Sequence, residues 1–181
     1  MKIGVFGSAV GTEEEVMEKA REIGRQIAKH GHVVITGGCT GLPHEAAMGA
    51  NEFGGKCIAY SPAKDIAGHK SYGMPADGFS EFIFMPASYK HINNKLVCMK
   101  YRNVSSVADC DAVIIIGGRI GTMNEFTIAY DTGKNIGILE GTGGITKDII
   151  PALLKSSNKP SASKIIWDTD PASLVKKLIS L

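Results

Sequence analysis

Thr122 and Glu125 sit close together in the stretch Gly117-Gly118-Arg119-Ile120-Gly121-Thr122-Met123-Asn124-Glu125, directly behind the apolar run Ala112 to Ile116. That run has the composition of a strand buried on both faces, and the two glycines stop it abruptly. A helix is expected to start near Gly121. Glycines at such a junction let the backbone approach a ligand, and the first helical turn adds unpaired N–H groups and the positive end of a dipole. The chemistry this suits is the binding of an anion, most naturally a phosphate. Thr122 can cap the helix or give its hydroxyl to the same anion, and Glu125, about one turn on, can turn its carboxylate toward the pocket. Arg102 belongs to the helix that enters the same strand and adds a positive flank.

The elements that must position these groups alternate along the chain. Lys2 to Phe6 reads as a strand, followed by Gly7-Ser8-Ala9-Val10-Gly11 and a helix opened by Thr12 with Glu13 to Glu15 in its first turn. The acids suit the helix dipole, and Val16, Ala20, Ile23 and Ile27 recur at helical spacing. A second strand, Val33 to Thr36, runs into Gly37-Gly38-Cys39-Thr40-Gly41, so two glycine turns converge on one edge of a sheet. A helix from Pro43 to Phe53, rich in small residues, and a strand from Lys56 to Tyr60 follow. Ser61 to Ser80 has no convincing periodicity and reads as one long loop in which His69, Lys70 and Tyr72 could touch a ligand. Further on come a strand at Glu81 to Met85, a long helix from Ser88 to about Val107 with Ile92, Leu96, Met99 and Val107 as its apolar stripe, and the key strand and helix. The tail holds a strand at Asn135 to Leu139, the glycine turn Gly141 to Gly144, a helix from Thr146 to about Lys155, a strand at Lys164 to Trp167 and a helix opened by Asp170-Pro171. This alternation predicts an α/β fold, a Rossmann-like doubly wound, mainly parallel sheet with helices on both faces, spanning residues 1–181 as a single domain.

Bulk properties narrow the function. A chain of 181 residues with 44% apolar residues can bury a sizeable core, and a formal charge of +2 without a long basic run makes extended contact with nucleic acid unfavoured. The four cysteines lack metal-binding or disulfide-framework spacing, which suits reduced thiols in a cytoplasmic protein, and no metal site is expected. No stretch approaches about eighteen uninterrupted apolar residues, and the chain opens directly on a strand, so neither a membrane span nor a signal peptide is expected.

Taken together, Thr36-Gly37-Gly38-Cys39-Thr40-Gly41, Arg102-Asn103 and Gly118-Arg119-Ile120-Gly121-Thr122-Met123-Asn124-Glu125 resemble the Rossmann-like superfamily of the lonely-guy phosphoribohydrolases, proteins labelled possible lysine decarboxylases, and molybdenum-cofactor carrier proteins. The likeness runs from residue 1 to about residue 145. The enzymes' signature is PGGxGTxxE preceded by an Arg-Lys pair. Here Gly117 stands at the proline position, Arg119 replaces the second glycine and the pair reads Arg102-Asn103, while Gly121, Thr122 and Glu125 are kept. The resemblance implies Arg102 and Glu125 as a catalytic pair. It implies Gly7, Ser8, Gly37, Gly38, Gly117, Gly118, Gly121 and Thr122 as the phosphate or nucleotide cradle, and a homodimer as the assembly. The implied reaction cleaves the N-glycosidic bond of a nucleoside 5′-monophosphate to free base and ribose 5-phosphate, with no required cofactor. The alternative is a non-catalytic carrier that holds a phosphorylated cofactor such as molybdopterin in the same turns. A more distant one is single-stranded DNA binding, which predicts strong salt dependence and fits the weak net charge poorly.

Other residues carry less. Cys39, lacking an assigned histidine partner, reads as a small turn residue and not as a nucleophile. His44-Glu45 matches neither a zinc pair nor a triad, and Glu45 reads as a helix-dipole partner. No lysine stands out as a pyridoxal-phosphate anchor.

Overall fold

The computed structural model describes residues 1–10 and 13–181. Among the described residues seven strands lie in one parallel sheet of order β4-β3-β2-β1-β5-β6-β7. The strands are β1 (Lys2–Gly7), β2 (Val33–Thr36), β3 (Cys57–Tyr60), β4 (Glu81–Ile83), β5 (Ala112–Ile116), β6 (Asn135–Leu139) and β7 (Ile165–Asp168). The helices are α1 (Glu14–Lys29), α2 (Leu42–Glu52), α3 (Ile66–Ser71), α4 (Lys95–Ala108), α5 (Ile120–Asp131), α6 (Ile149–Ser157) and α7 (Pro171–Ile179). The chain builds outward from β1 to β4 on one side, then crosses back to lay β5 against the free edge of β1. The carboxyl ends of β1 and β5 are therefore the point where the winding reverses, and there the following loops part to leave a crevice.

Every residue of β5 is buried, and the strand's alternation distributes it between two cores. Ala112, Ile114 and Ile116 join Ile3, Val5 and the apolar faces of α1, α2 and α7, whereas Val113 and Ile115 join Phe6, Ile136, Ile138, Phe126 and Ile150 on the opposite face. Period-two alternation with both faces covered by helices is what a continuous apolar run in a parallel sheet requires.

The small residues of α2 serve close packing. A Cβ on Gly49 would lie 1.9 Å from the Arg21 carbonyl oxygen of α1, and one on Gly24 of α1 would lie 1.9 Å from that of Ala46. The two helix backbones thus touch at a reciprocal pair of glycines. Polar groups frame the same junction, where Arg21 meets Glu45 at 3.0 Å. Glu45 therefore answers an arginine on the neighbouring helix.

Several boundaries differ from the sequence reading. The segment Ser61 to Ser80 is not one irregular loop. It contains α3, whose N-cap Asp65 accepts from the Gly68 amide at 2.7 Å, a helix too short for its periodicity to register. His69 on α3 is fully buried, its ring nitrogens 2.9 Å from Ser61 Oγ and 2.7 Å from the Pro75 carbonyl oxygen, so it holds the segment together and is not available to a ligand. Of its companions, Tyr72 lies under the Lys95 ammonium at 4.2 Å and Lys70 is exposed. The helix expected from Ser88 begins at Lys95, where Asn94 caps the Val97 amide at 3.2 Å. Its expected stripe is also displaced: Leu96 is 73% exposed, and the buried face is Cys98, Asn103, Ser106 and Val107. From that face Asn103 reaches the start of α5, where its Nδ2 donates to Asn124 Oδ1. The helix expected from Thr146 is a 3-10 turn over Gly144–Thr146 followed by α6. Thr12, expected to open α1, lies outside the described residues.

Among the described residues no helix is long and apolar enough to cross a membrane. The glycine contact between α1 and α2 leads to a prediction opposite to helix propensity, which favours Ala over Gly by about 1 kcal/mol. Gly24→Ala and Gly49→Ala should each destabilise the protein by about 1–3 kcal/mol, because the backbones must separate. A fall in melting temperature by differential scanning calorimetry checks this, and an unchanged or raised value would refute the packing described.

Candidate functional site

The crevice at the reversal point holds a cavity of about 230 Å³. Each neighbouring element contributes to it: Gly7 at the end of β1 and Ser8 after it, Gly37 and Cys39 after β2, Arg102 from α4, and Gly121, Thr122 and Glu125 from α5. Arg102 and Glu125, remote in sequence, thus border one space.

Arg102 is anchored by backbone. Its Nη1 donates to the Gly37 carbonyl oxygen at 2.6 Å, and a Cβ on Gly37 would fall 1.5 Å from that nitrogen. Gly37 is a glycine so that a guanidinium can lie on the β2–α2 turn. Arg102 Nε is buried without a partner, and among the described residues no direct ion pair joins Arg102 to Glu125. The fork therefore keeps donors uncommitted beside the cavity.

Glu125 is only 6% exposed. Burial pushes its carboxyl up to about 7, a rise that the positive charges of Arg102 and Lys100 only partly offset. Near neutral pH it divides between acid and carboxylate, the condition for moving a proton in either direction. The Cys39 thiol, in the same cavity, is also pushed up, chiefly by burial, and so stays protonated. This argues against a thiolate nucleophile.

Open backbone donors border the cavity at the start of α5. Its N-cap, Arg119, makes no side-chain capping bond, so the first amides of the helix, those of Ile120, Gly121 and Thr122, have neither an intrahelical nor a capping partner. A Cβ on Gly121 would meet nothing within 4 Å, which leaves its missing side chain without a packing reason. Thr122 is 4% exposed, and its hydroxyl has no hydrogen-bond partner among the described residues. The two preceding glycines do otherwise than expected. The Gly117 amide donates to Thr142 Oγ1 at 2.8 Å and the Gly118 amide to Ser8 Oγ at 3.2 Å. Both glycines have positive φ, +55° and +93°, so they shape the turn and face inward while the free amides lie one step later. Gly38, at φ +61°, packs on His69 and Ala59 and does not line the cavity; nor does Gly117. Gly118 instead borders an adjoining cleft of about 500 Å³ with Ser8, Arg119 and Gly141 to Gly144.

Some contributors escaped the sequence reading. Met99 stands one turn before Arg102 on α4, and that spacing could have revealed it; Met74, from the segment after α3, gave no signal. Asn103 joins the helices that carry the central pair: its Nδ2 donates to Asn124 Oδ1 at 3.0 Å and lies 3.5 Å from the Gly121 carbonyl oxygen. No group of three or more His, Cys, Asp or Glu suited to a metal ion occurs among the described residues.

A family model described as the SLOG cluster4 family matches residues 1–175. A protein of Archaeoglobus fulgidus is 33% identical over 141 residues, covering 77% of this chain and 80% of its own length. Among solved structures, the structural-genomics target TM1055 is similar at 25% identity, with a TM-score of 0.80 and 99% of each chain covered. The Moco carrier protein from Chlamydomonas reinhardtii is similar at 27% identity, with a TM-score of 0.68, covering 99% of this chain and 97% of that one. DNA processing protein A from Helicobacter pylori, at 19% identity, TM-score 0.66 and 99% and 80% coverage, shares the fold alone.

The burial of Glu125 makes stability depend on pH. Its folded pKa of about 7 exceeds the ordinary value of 4.5, so between these values the folded chain holds a proton that the unfolded chain has lost. Stability is then greatest below about pH 4.5 for this group and falls by up to about 3 kcal/mol as pH rises through 7. Glu125→Gln removes that loss. Its melting temperature should exceed the parent's at pH 8 and converge with it at pH 5, whereas a difference independent of pH would contradict the buried, proton-holding carboxyl.

Proposed function

The chain belongs to the SLOG cluster4 family, and within it we propose that this protein binds a nucleoside 5′-monophosphate and hydrolyses its N-glycosidic bond. The observation that carries this reading is the placing of Arg102 and Glu125 on one cavity beside the open first turn of α5. The 5′-phosphate takes the Ile120, Gly121 and Thr122 amides and the Thr122 hydroxyl, where helix dipole and free donors coincide. Ser8, whose oxygen accepts from Gly118, still has its hydroxyl proton to donate.

The ribose then lies toward Glu125. As the bond from C1′ to the base nitrogen breaks, positive charge develops on the ribose, and a carboxylate close by stabilises it. Glu125 takes a proton from the attacking water, whose oxygen bonds to C1′; the base nitrogen leaves with the electron pair of the broken bond and takes up one proton from solvent, while Glu125 returns its proton to solvent, so that one water is consumed overall. The products are free base and ribose 5-phosphate. Arg102, already set on Gly37, orients a ribose or phosphate oxygen through its remaining donors. The homodimer belongs to the same reading: Leu96, Val104 and Ile120, at 73%, 52% and 80% exposure on α4 and at the start of α5, offer apolar surface to a second copy.

A second reading, carriage of a phosphorylated cofactor without turnover, is favoured by the likeness to the Chlamydomonas carrier over nearly the whole chain. Incubation with AMP while free adenine is measured separates the two. Turnover that disappears in Glu125→Gln and rises with pH through about 7 is expected, because the ionised carboxyl is the working form. Tight binding without adenine release would replace the enzyme by the carrier. The cradle has its own test: Thr122→Ala should weaken AMP binding by about tenfold, the worth of a hydrogen bond to a charged group, without lowering the melting temperature appreciably. Unchanged affinity in calorimetric titration would remove α5 from the phosphate site.

A further inference from the structure

The central cavity does not end at the α5 turn. Ser8 and Arg119 line it and also line the adjoining cleft of about 500 Å³, so the two spaces meet at those side chains. At about 230 Å³ the first falls below the roughly 300–1,000 Å³ of ordinary small-molecule sites, and the second is the larger.

The far wall of the second cleft is the turn Gly141-Thr142-Gly143-Gly144, and it is joined firmly to the phosphate turn. Thr142 Oγ1 accepts the Gly117 amide at 2.8 Å and donates to the Leu139 carbonyl at 2.7 Å, while the Ile145 amide donates to the Gly118 carbonyl at 3.1 Å. A Cβ on Gly144 would sit 2.4 Å from that same carbonyl oxygen. The wall is thus held in register with the start of α5. Among the described residues the Gly143 and Gly144 amides find no acceptor. Arg119, exposed, lines the cleft together with this turn and with Ser8. Arg119 stands where the sequence pattern of the related hydrolases has a glycine. A guanidinium there bridges neighbouring phosphate oxygens in a way a glycine cannot. The cleft's carboxylate, Glu13, is exposed and suits a sugar hydroxyl as acceptor.

We propose that the second cleft is a phosphoryl subsite, and that the ligand class preferred by this chain is a nucleoside 5′-diphosphate or a compound built on one, its second phosphoryl group held by Arg119 and the Gly141–Gly144 turn. This rests on the preceding section's placement of the first phosphate at α5. The test is calorimetric titration of the full chain with AMP and with ADP, repeated on Arg119→Gln and on Val10→Trp. Val10 is 56% exposed at the edge of the cleft, so a tryptophan there fills it from outside without disturbing the core. ADP should bind at least about tenfold more tightly than AMP, and either substitution should reduce that ratio below about threefold. A parent ratio already below about threefold, or one that survives both substitutions, overturns the proposal. The two readings fail separately: an ADP preference without adenine release from AMP leaves the subsite and removes the hydrolase, and adenine release without an ADP preference does the reverse.

Discussion

A guanidinium laid on a backbone carbonyl, Arg102 on Gly37 at 2.6 Å, is the contact on which the site depends. It ties α4, which crosses back over the sheet, to the turn after β2 on the other side of β1. Without a Cβ at position 37 the arginine can lie across the turn, and its Nε stays without an acceptor. Any side chain there would displace the arginine and leave a positive group partly buried without its acceptor, a costly outcome. The same turn is steadied from beneath, where Thr36 Oγ1 accepts the Gly38 amide at 3.0 Å and Gly38 packs against the buried His69. The segment containing α3, which reads in the sequence as one long loop, is in this way part of the support for the arginine.

Around that contact the molecule keeps polar groups in incomplete arrangements. Glu125 is buried with positive charge nearby but without a direct ion pair, Arg102 Nε has no acceptor, and Asn103 Oδ1 is buried without a donor. Native interiors satisfy such groups almost everywhere, and of these exceptions Arg102 and Glu125 line the cavity itself. The rest of the fold compensates through packing. Both faces of β5 are fully covered, and α1 and α2 approach until their backbones touch. A rigid frame of this kind holds the uncommitted donors in place.

The strand-turn-helix alternation, both glycine turns and the convergence on the carboxyl edge were legible in the residues, because apolar runs, glycines and helix signals are local properties. Arg102 and Glu125 could be nominated by their resemblance to a known pattern, and they do border one cavity. The Gly117 and Gly118 amides were assigned to a ligand, yet they face Thr142 and Ser8. Their acceptors lie 25 and 110 residues away, and no local rule reports the direction of an amide. The displaced start of α4 has a different origin: Ile92 and Leu96 look like core residues by spacing, but the face that packs is chosen by α5, whose first turn bonds to Asn103.

By itself the sequence determined the class of fold, the order of its elements and the kind of chemistry its turns could support, since each follows from periodicity, backbone freedom and side-chain type. Only the tertiary structure decided which amides remain open, that Gly37 exists to seat an arginine, that His69 is structural, and that Arg119 stands between two clefts. The physical reason is the same in each case. A hydrogen-bonding group is available to a ligand only if no distant part of the chain has reached it first, and that is settled when the sheet closes and its loops meet.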